Sequence, residues 1–422
     1  MISSPWIDLG WGLIAALIPL WGAGPLWLYG VTVAYLCYKS REPSQPDRES
    51  GAKKPPAFLL VPIFWVSLCF VAVPDLSDDY HRYLWEGFVQ NQGFSPYAHE
   101  PRSLYAQLDH PSEGLVNHDH LATIYPPLAL YLFRLADGLS PSIYAWKLLL
   151  LLSLLPLLYF RHLPRSLLFC SPLILVEGLW NAHLDVLGVV PGFLLVAALE
   201  KQKPRTAAWA LALLTLLKLL PALLFPFIFF HFKGRRRWWF AGLFAVLVGA
   251  AYLPFFGDGP LLFASFVKFS REWYFNNPWF HLLLPLLGNG GSRLVLGLLL
   301  AGVYLTLLFR REGVIFKAIC LWTALICLSP TVYPWYLIWL LPWITGKNRF
   351  VLHCIYGACC LSYLVLIPYR QTGVWQESWW WLAPEWILMT YGFVVLLLAE
   401  KKRDKAGCAA ALSGTGPAAE AQ

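Results

Sequence analysis

The sequence has few charged residues for its length. Asp, Glu, Lys and Arg make up 13% of its 422 residues, and 58% of the residues are hydrophobic. An average soluble domain contains about 25% charged residues. So few charges cannot cover the surface of a soluble protein of this size. The composition therefore excludes a cytosolic globular enzyme, a disordered chain and a nucleic-acid-binding protein, and it predicts an all-α, polytopic integral membrane protein.

The sequence also lacks the motifs that identify many soluble enzymes. It contains no Walker A motif, no GxGxxG after a strand, no HExxH and no GxSxG. Its nine cysteines show no CxxC pattern and no Cys/His metal spacing. We interpret the cysteines as small apolar side chains in helices, and we predict neither a metal site nor a cofactor. The sequence shows no internal repeat of the kind found in many transporters.

Long apolar runs predict a bundle of about 11–14 membrane-spanning helices, because one span needs about 17–25 apolar residues. The clear candidates are 56–74, 142–160, 166–180, 185–199, 238–256, 293–309, 314–330, 333–346, 350–367 and 382–399. The apolar segment 6–38 is interrupted by Pro19 and by the sequence GAGP, so it forms either one bent span or a tight hairpin.

Three regions follow from these runs. Residues 1–55 are expected to form an N-terminal membrane segment, retained rather than cleaved, and a basic loop. Residues 56–400 are expected to form the main transmembrane domain, with a large loop over 75–125. Residues 401–422 are expected to form a disordered tail.

The basic residues predict the orientation of the chain. Of the 32 Lys and Arg residues, 23 lie in seven clusters on alternate connections: 39–54, 161–165, 201–205, 233–237, 310–317, 347–349 and 401–405. Short cytoplasmic loops are enriched in Lys and Arg. We therefore expect these clusters and the C-terminus in the cytoplasm, and the loop 75–125 on the external or lumenal side. The membrane would be the plasma or inner membrane of a bacterium, or the endoplasmic reticulum of a eukaryote.

Residues 206–231 test this orientation, because a basic cluster lies on each side of them. A single span would break the alternation of the clusters. The segment contains Lys218 and Pro221 near its middle, so we predict a hairpin of two short helices that turns near Lys218. A lysine at mid-bilayer costs about 2.5–3.5 kcal/mol on insertion scales, and intramembrane ionisable groups are often functional. The alternative is a lysine that extends to the membrane interface.

The large external loop begins with three acids, Asp75, Asp78 and Asp79. Residues 79–92 follow with the pattern of an amphipathic helix, which we expect to lie on the membrane surface. Carboxylates beside aromatic side chains at this position suit general-base chemistry. If residues 126–138 crossed the membrane fully, the next span would place the basic cluster 161–165 on the external side. We therefore expect them to be re-entrant or to lie along the membrane.

Other external turns are also polar and aromatic. Glu177, Asn181 and Asp185 are spaced four residues apart and share a face if their helix continues, whereas His183 lies off that face. Many of the tryptophans and tyrosines fit an ordinary interfacial belt. The residues that we expect to bind substrate are Tyr125, Asn181, His183, Asp185, Asn276, Tyr333, Trp335 and Tyr336.

The order of these segments resembles that of the membrane-embedded GT-C glycosyltransferases. The resemblance is greatest to the lipid-phosphate-mannose-dependent mannosyltransferases, which include the catalytic subunit of GPI mannosyltransferase I and bacterial relatives. The matching pieces are SDDYHRYLWEGFVQNQGFSPY, TIYPPL, the step Asn181–Ala182, LKLLPALLFP, REWYFNNPWF and VYPWYLIWLLP. They fall within residues 56–345. The resemblance implies a catalytic bundle of helices around a cavity that opens to the bilayer and to the external face.

The resemblance also implies a reaction. A polyprenyl- or dolichyl-phosphate sugar would donate its sugar to a lipid or glycan acceptor, with inversion at the anomeric carbon, in contact with membrane lipids. The catalytic acid of the family follows the first long span, a position that matches Asp78 or Asp79. The family motif reads Asp-x-Asp, but Ser77 occupies the first place here, which leaves open which aspartate is the base.

Cations near the donor phosphate would stabilise its developing charge. Lys218 and Arg271 are the candidates for this role, with Arg82 as a third. Two other functions use the same features. A transporter or lipid flippase would use the same cavity, and an accessory subunit would need a partner that carries the transferase activity.

Overall fold

A computed structural model describes residues 65–159, 171–344, 346 and 348–413, with side chains placed through residue 406. Most of these residues lie in helices and none lies in a strand, and an isolated parallel bridge joins Phe275 to Thr331. The all-α prediction is therefore confirmed for this part of the chain. The predictions for residues 1–55, for most of the span 56–74 and for the start of the span 166–180 lie outside the described residues.

The first half of the described chain contains short helices joined by tight breaks. Residues 65–71 are helical. The α-helices that follow are α1 (Asp79–Asn91), α2 (Pro101–Leu104), α3 (Pro127–Leu139), α4 (Ile143–Leu154), α5 (Val189–Glu200), α6 (Pro204–Leu217) and α7 (Phe225–His231). A π-helix covers Leu173–Trp180, and 3-10 segments cover Leu155–Tyr159, Leu184–Gly188 and Leu220–Leu224.

The second half contains the long helices. They are α8 (Arg235–Tyr252), α9 (Leu261–Glu272), α10 (Pro278–Phe309), α11 (Val314–Leu328), α12 (Asn348–Cys359), α13 (Leu366–Thr372) and α14 (Trp379–Ser413). Segments of 3-10 helix cover Leu253–Asp258, Pro334–Trp343 and Cys360–Val365. The tail 401–422 is predicted from the sequence to be disordered, but helix α14 continues through residues 401–413. Residues 414–422 lie outside the described residues.

Among the described residues, four helical stretches are long and apolar enough to cross a membrane: Arg235–Asp258, Pro278–Phe309, Asn348–Thr372 and Trp379–Ala406. Each contains one of the spans predicted from the sequence. Of the 18 most apolar consecutive residues in Arg235–Asp258, only 11% are buried within the protein. The corresponding share in Pro278–Phe309 is 17%. Such large apolar surfaces are rare on soluble monomers. The fold is therefore compatible with a helical membrane protein.

The predicted span 333–346 differs from the structure. Residues Pro334–Trp343 form a 3-10 helix with Pro342 inside it, and at about 2.0 Å per residue it is too short for a bilayer core of about 30 Å. Its side chains are buried, and Leu337 and Leu340 are fully inaccessible. Pro342 lies inside the segment, where it lacks an N–H group and disfavours a regular α-helix. The segment therefore lies at the centre of the core.

The hairpin predicted over 206–231 is confirmed. Helix α6 ends at Leu217, and Lys218 has an extended backbone with φ −154° and ψ 135°. The chain then returns, because Gln202 Nε2 lies 2.7 Å from His231 Nε2. At about 1.5 Å per residue, the 14 residues of α6 extend about 21 Å. Helix α6 is therefore shorter than a bilayer core of about 30 Å is thick.

Helix α1 appears where the sequence predicts it, but its environment differs from the prediction. Eight of its 13 residues are buried, so most of the helix lies inside the protein rather than on a membrane surface. It packs closely on α3: Gly87 faces the backbone carbonyl of Phe133, and Gln90 Nε2 donates to Leu130 O at 2.9 Å. A side chain at position 87 would clash with this carbonyl, so glycine permits the close approach that positions the N-terminus of α1.

Candidate functional site

Three adjoining cavities lie between α1, the hairpin turn at Lys218, α9 and the segment Pro334–Trp343. The central cavity has a volume of about 160 Å³ and is lined by both Asp79 and Lys218. An apolar cavity of about 390 Å³ adjoins it at Lys218. An outer cavity of about 660 Å³ adjoins it at Asp79. Trp273 lines all three cavities.

The chain that leads into Asp79 is held by buried donors. Lys147 is fully buried, and its Nζ donates to the carbonyls of Cys69 at 3.0 Å and of Phe70 at 3.3 Å, and also to that of Ala72. These carbonyls end the helix 65–71, where a cation is favourable. Asn181 Oδ1 accepts from the backbone N–H of Leu76 at 3.2 Å.

The two adjacent aspartates have different environments. Asn117 Nδ2 donates to Asp79 Oδ1 at 2.7 Å and to Asp78 Oδ1 at 3.0 Å. The side chain of Asp79 is 24% exposed and lines both the central and the outer cavity. Asp78 is exposed and, of the three cavities, lines only the outer one.

Burial raises the pKa of Asp79 to about 6, and the neighbouring charge of Asp78 acts in the same direction. The hydrogen bond from Asn117 and the charge of Arg82 partly offset this rise. A carboxylate with this pKa is mostly ionised at pH 7 and can still accept a proton effectively. Asp79 therefore has the environment of a general base.

Arg82 organises the wall of the central cavity. Its NH1 forms a buried ion pair with Glu86 at 3.1 Å and also donates to Leu121 O at 3.2 Å. Its NH2 donates to the carbonyls of Asn117 at 2.7 Å and His118 at 2.8 Å, and its Nε donates to Asn117 Oδ1 at 3.3 Å. All five N–H groups of the guanidinium are thereby engaged. The geometry favours a role in positioning Asn117 over phosphate binding.

Lys218 occupies the opposite end of the central cavity, at the break between α6 and the segment Leu220–Leu224. Its Nζ lies 2.6 Å from Asp185 Oδ1 and 4.2 Å from the ring centroid of Tyr336. Asp185 Oδ1 also accepts from Trp339 Nε1 at 2.5 Å. An ammonium group has three donors, so two N–H groups of Lys218 remain for an anion in the cavity.

A stack of aromatic rings lies at the wall of the central cavity. The ring of His183 stacks on Trp335 at 3.8 Å, and Trp335 stacks on Tyr333 at 4.4 Å. Two of the predicted aromatic residues thus form one wall of the cavity, and Tyr125 and Tyr336 complete the lining on other sides. Flat rings of this kind provide large, rigid contact surfaces for a ligand.

Glu177, Asn181 and Asp185 would share a face only if their helix continued, and the helix does not continue. The π-helix ends at Trp180, and Ala182 adopts a left-handed conformation with φ 59°. Trp146 Nε1 holds this turn by donating to Ala182 O at 2.8 Å. The reversal separates the three residues. It also brings His183 between Glu177 and Asp79, although the continuous-helix interpretation places it on another face.

Four predicted site residues lie outside the linings of these cavities in the described part of the chain: Asn181, His183, Arg271 and Asn276. His183 is completely buried, and Arg271 is exposed at the last turn of α9. Asn276 is buried with φ 56°, and its Nδ2 donates to Glu385 Oε1 at 2.6 Å. The roles of these four residues in ligand binding remain predictions, and the contacts of Asn181 and Asn276 are those of residues that hold turns.

Several residues of the cavity are absent from the sequence-based set, including Asn117, His118, Trp273 and Arg293. Burial lowers the pKa of His118 to about 4, so its ring is neutral at pH 7. Arg293 lines the apolar cavity and donates to the carbonyls of Ser270 at 2.8 Å and Trp273 at 2.6 Å. Arginine within an apolar helix is a usable signal for such a site, whereas Asn117 lies in a polar loop that offers none.

Comparisons with known proteins assign no family to this chain: no protein-family model, no curated protein and no solved structure matches it. The fold and the cavities therefore define only a broad class. The described part of the chain is helical without strands and contains four helices long and apolar enough to cross a membrane. It encloses a cavity whose lining includes the carboxylate of Asp79 and the ammonium group of Lys218.

Proposed function

We propose that the chain is a multi-pass membrane glycosyltransferase. It moves a sugar from a polyprenyl- or dolichyl-phosphate donor to a lipid or glycan acceptor. The observation that carries this proposal is the presence of Asp79 and Lys218 on the walls of one cavity lined by aromatic rings. Mannose is the proposed sugar on the strength of the family resemblance.

The residues suit a displacement at the anomeric carbon. Asp79 accepts the proton of the acceptor hydroxyl while the acceptor oxygen forms its bond to the anomeric carbon. The bond from that carbon to the phosphate oxygen breaks, and the phosphate leaves with an additional negative charge. Lys218 stabilises this charge through its free N–H groups. A phosphate leaving group does not require protonation, so one carboxylate is sufficient.

The apolar cavity suits the isoprenoid chain of the donor. Phe266, Phe269 and Leu300 contribute to its lining, and Lys218 lies at its junction with the central cavity. A donor whose chain occupies the apolar cavity would therefore present its phosphate to Lys218 and its sugar to the aromatic wall. Holding donor and acceptor in this arrangement also contributes to the rate.

The outer cavity suits the acceptor. It is lined by polar groups that include Ser77, Asp78 and His81, and Asp79 forms its boundary with the central cavity. An acceptor hydroxyl that enters from this side meets the carboxylate before it meets the donor. The family resemblance, in which the catalytic acid follows the first long span, supports the same assignment.

The orientation of the chain forms part of this proposal. The clustered basic residues support about 11–14 spans with the C-terminus in the cytoplasm and the cavity facing the external or lumenal side. The membrane is then a bacterial plasma or inner membrane, or the endoplasmic reticulum of a eukaryote.

The test uses purified full-length protein and a panel of polyprenyl-phosphate sugars, with release of polyprenyl phosphate as the readout. We expect release from at least one donor, with mannose most active, and a stimulation of release by a sugar or lipid acceptor. Absence of release from every donor, together with intact folding, would contradict the proposal.

A flippase is the second candidate. Lys218 and Asp185 form their ion pair where two helical segments are broken, and broken helices of this kind form the binding sites of many transporters. Translocation of a fluorescent polyprenyl-phosphate lipid across proteoliposomes, with no sugar transfer, would favour this alternative.

A further inference from the structure

Glu177 is a buried carboxylate for which the proposed reaction has no role. Its side chain is completely inaccessible and lies beneath the cavity wall. Tyr356 donates to Glu177 Oε1 at 2.6 Å, and Tyr363 donates to Oε1 at 3.0 Å and to Oε2 at 2.9 Å. Hydrogen bonds from donors stabilise the ionised form of a carboxylate. The two hydroxyl groups therefore partly offset the cost that burial places on a negative charge at this position.

His183 lies between this carboxylate and Asp79. Its Nε2 is 3.6 Å from Glu177 Oε2, and its Nδ1 is 3.8 Å from Asp79 Oδ2. The ring is completely buried, and neither ring nitrogen has a hydrogen-bond partner among the described residues. Buried polar atoms without partners are rare in folded proteins. Both nitrogens face carboxylate oxygens just beyond hydrogen-bond distance, and such distances often shorten when substrate binds.

We propose that Asp79, His183 and Glu177 form a proton-accepting triad that extends the base of the proposed transferase. The proton of the acceptor hydroxyl passes first to Asp79 Oδ2. In the tautomer that carries its hydrogen on Nε2, His183 can accept at Nδ1. The Asp79 O–H bond then breaks as a bond forms between this proton and Nδ1, while Nε2–H lies on the side of Glu177. Asp79 is again a carboxylate, and the imidazolium lies between two carboxylates. The proton returns through Asp79 to water in the outer cavity after the product leaves.

The surroundings of His183 allow a proton on the ring only for a short time. Burial holds the pKa of His183 well below its usual value, and the charge of Lys218 acts in the same direction. The ion pair of Lys218 with Asp185 partly neutralises that charge. Asp79 and Glu177, when ionised, attract a proton to the ring, and the face of Trp335, which stacks on it with a centroid distance of 3.8 Å, attracts a cation. The imidazolium is therefore a transient carrier, and the proton returns to Asp79.

The triad depends on the proposed function, and kinetics can distinguish a proton acceptor from a positioning residue. His183→Asn places an amide near the position of Nδ1, and His183→Gln places one near the position of Nε2. Glu177→Gln keeps the shape of the side chain and removes the charge. We expect all three variants to lower kcat by about 100-fold, as for loss of a general acid or base. The KM of the donor should change little, because none of the replaced groups contacts the phosphate site.

A wild-type kcat in either amide variant of His183 would overturn the proposal. If His183→Asn keeps the wild-type kcat, His183 only orients Asp79 and stores no proton. His353→Gln is a matched control, because His353 is also buried, with 1% exposure, and its Nε2 lies 3.1 Å from Ser171 Oγ. We expect this variant to retain wild-type kcat if it folds, so a loss there would mark a general effect of buried histidine replacement.

An infrared titration tests the triad without any activity. The carboxylic acid band of Asp79 is identified by its loss in Asp79→Asn. We expect its titration midpoint to move in His183→Gln and in Glu177→Gln, because the three groups share a proton. An unchanged midpoint in both variants would overturn the triad even if the wild type is an active transferase. A shifted midpoint in a protein without transferase activity would instead contradict the proposed function and leave the triad intact.

Discussion

Asp79 and Lys218 line the same cavity, but the surrounding chain holds their side chains in different ways. Asp79 lies in a network in which Asn117 donates to it and Arg82 fixes the backbone of Asn117. Lys218 is held by an ion pair to Asp185 at a helix break. The network fixes the position of Asp79, whereas Lys218 can exchange Asp185 for another anion. This difference suits a base that stays in place and a cation that follows a phosphate.

The largest expected effect comes from removing the carboxylate. Asp79→Asn keeps the size of the side chain and should lower kcat by about 10²- to 10⁴-fold, the usual contribution of a general base. The assay is release of polyprenyl phosphate from the active donor. Asp137→Asn is a matched control, because Asp137 accepts from Asn91 at the far end of α1. Equal activity of the two variants would remove Asp79 from the reaction.

Removing the cation should act on the donor more than on the acceptor. Lys218→Met is expected to raise the KM of the donor about 10- to 150-fold, the equivalent of one charged hydrogen bond of about 1.5–3 kcal/mol. The variant also leaves Asp185 buried without its cation, which destabilises the fold. The double variant Lys218→Met/Asp185→Asn removes both charges and should fold better without recovering donor use. An unchanged donor KM would show that Lys218 does not bind the donor phosphate.

The pH profile should respond in opposite directions to two changes near Asp79. The rate should rise with pH through about 6, as the carboxyl loses its proton. Asn117→Ala removes a hydrogen bond that lowers the pKa of Asp79, so the rising limb should move to higher pH. Asp78→Asn removes a charge that raises this pKa, so the limb should move to lower pH. Shifts of the same sign in both variants would contradict the assignment of this limb.

The smallest effect is expected for Arg271→Ala. Arg271 is one of the cations predicted from the sequence to bind the donor phosphate. In the described part of the chain, however, the side chain of Arg271 is exposed and lies outside the three cavities. Surface substitutions usually change free energies by less than about 0.5 kcal/mol, so the donor KM should stay within about twofold of the wild-type value. A rise as large as that of Lys218→Met would show that Arg271 moves into the site when the donor binds.

Much of the architecture follows from local features of the sequence. Apolar runs such as 238–256 and 382–399 predict long helices because their length and composition match a bilayer core. The hairpin at Lys218 follows from the basic clusters on both sides of one apolar segment. Asp78 and Asp79 stand out as candidates because three acids follow directly after a predicted span, and the sequence leaves open which of the two is the base. Each of these signals lies within one short stretch of chain.

The other parts of the site depend on contacts between distant segments. The pairing of His183 with Glu177 requires a π-helix and a left-handed Ala182, and neither feature has a periodic pattern. Asn117 lies far from Asp79 in the sequence, and it can donate to Asp79 because Arg82 binds its backbone carbonyl and holds it beside α1. The 3-10 helix over Pro334–Trp343 has the composition of a membrane span, and its prolines and tertiary packing decide its shape.

The most direct test of the central claim measures donor binding and donor cleavage in the same preparations of wild type, Asp79→Asn and Lys218→Met. We predict that Asp79→Asn binds the polyprenyl-phosphate sugar with nearly the wild-type Kd and releases almost no polyprenyl phosphate. Lys218→Met should lose affinity for the donor. Release at the wild-type rate from Asp79→Asn, or equal donor affinity in all three proteins, would contradict a shared site for the base and the phosphate.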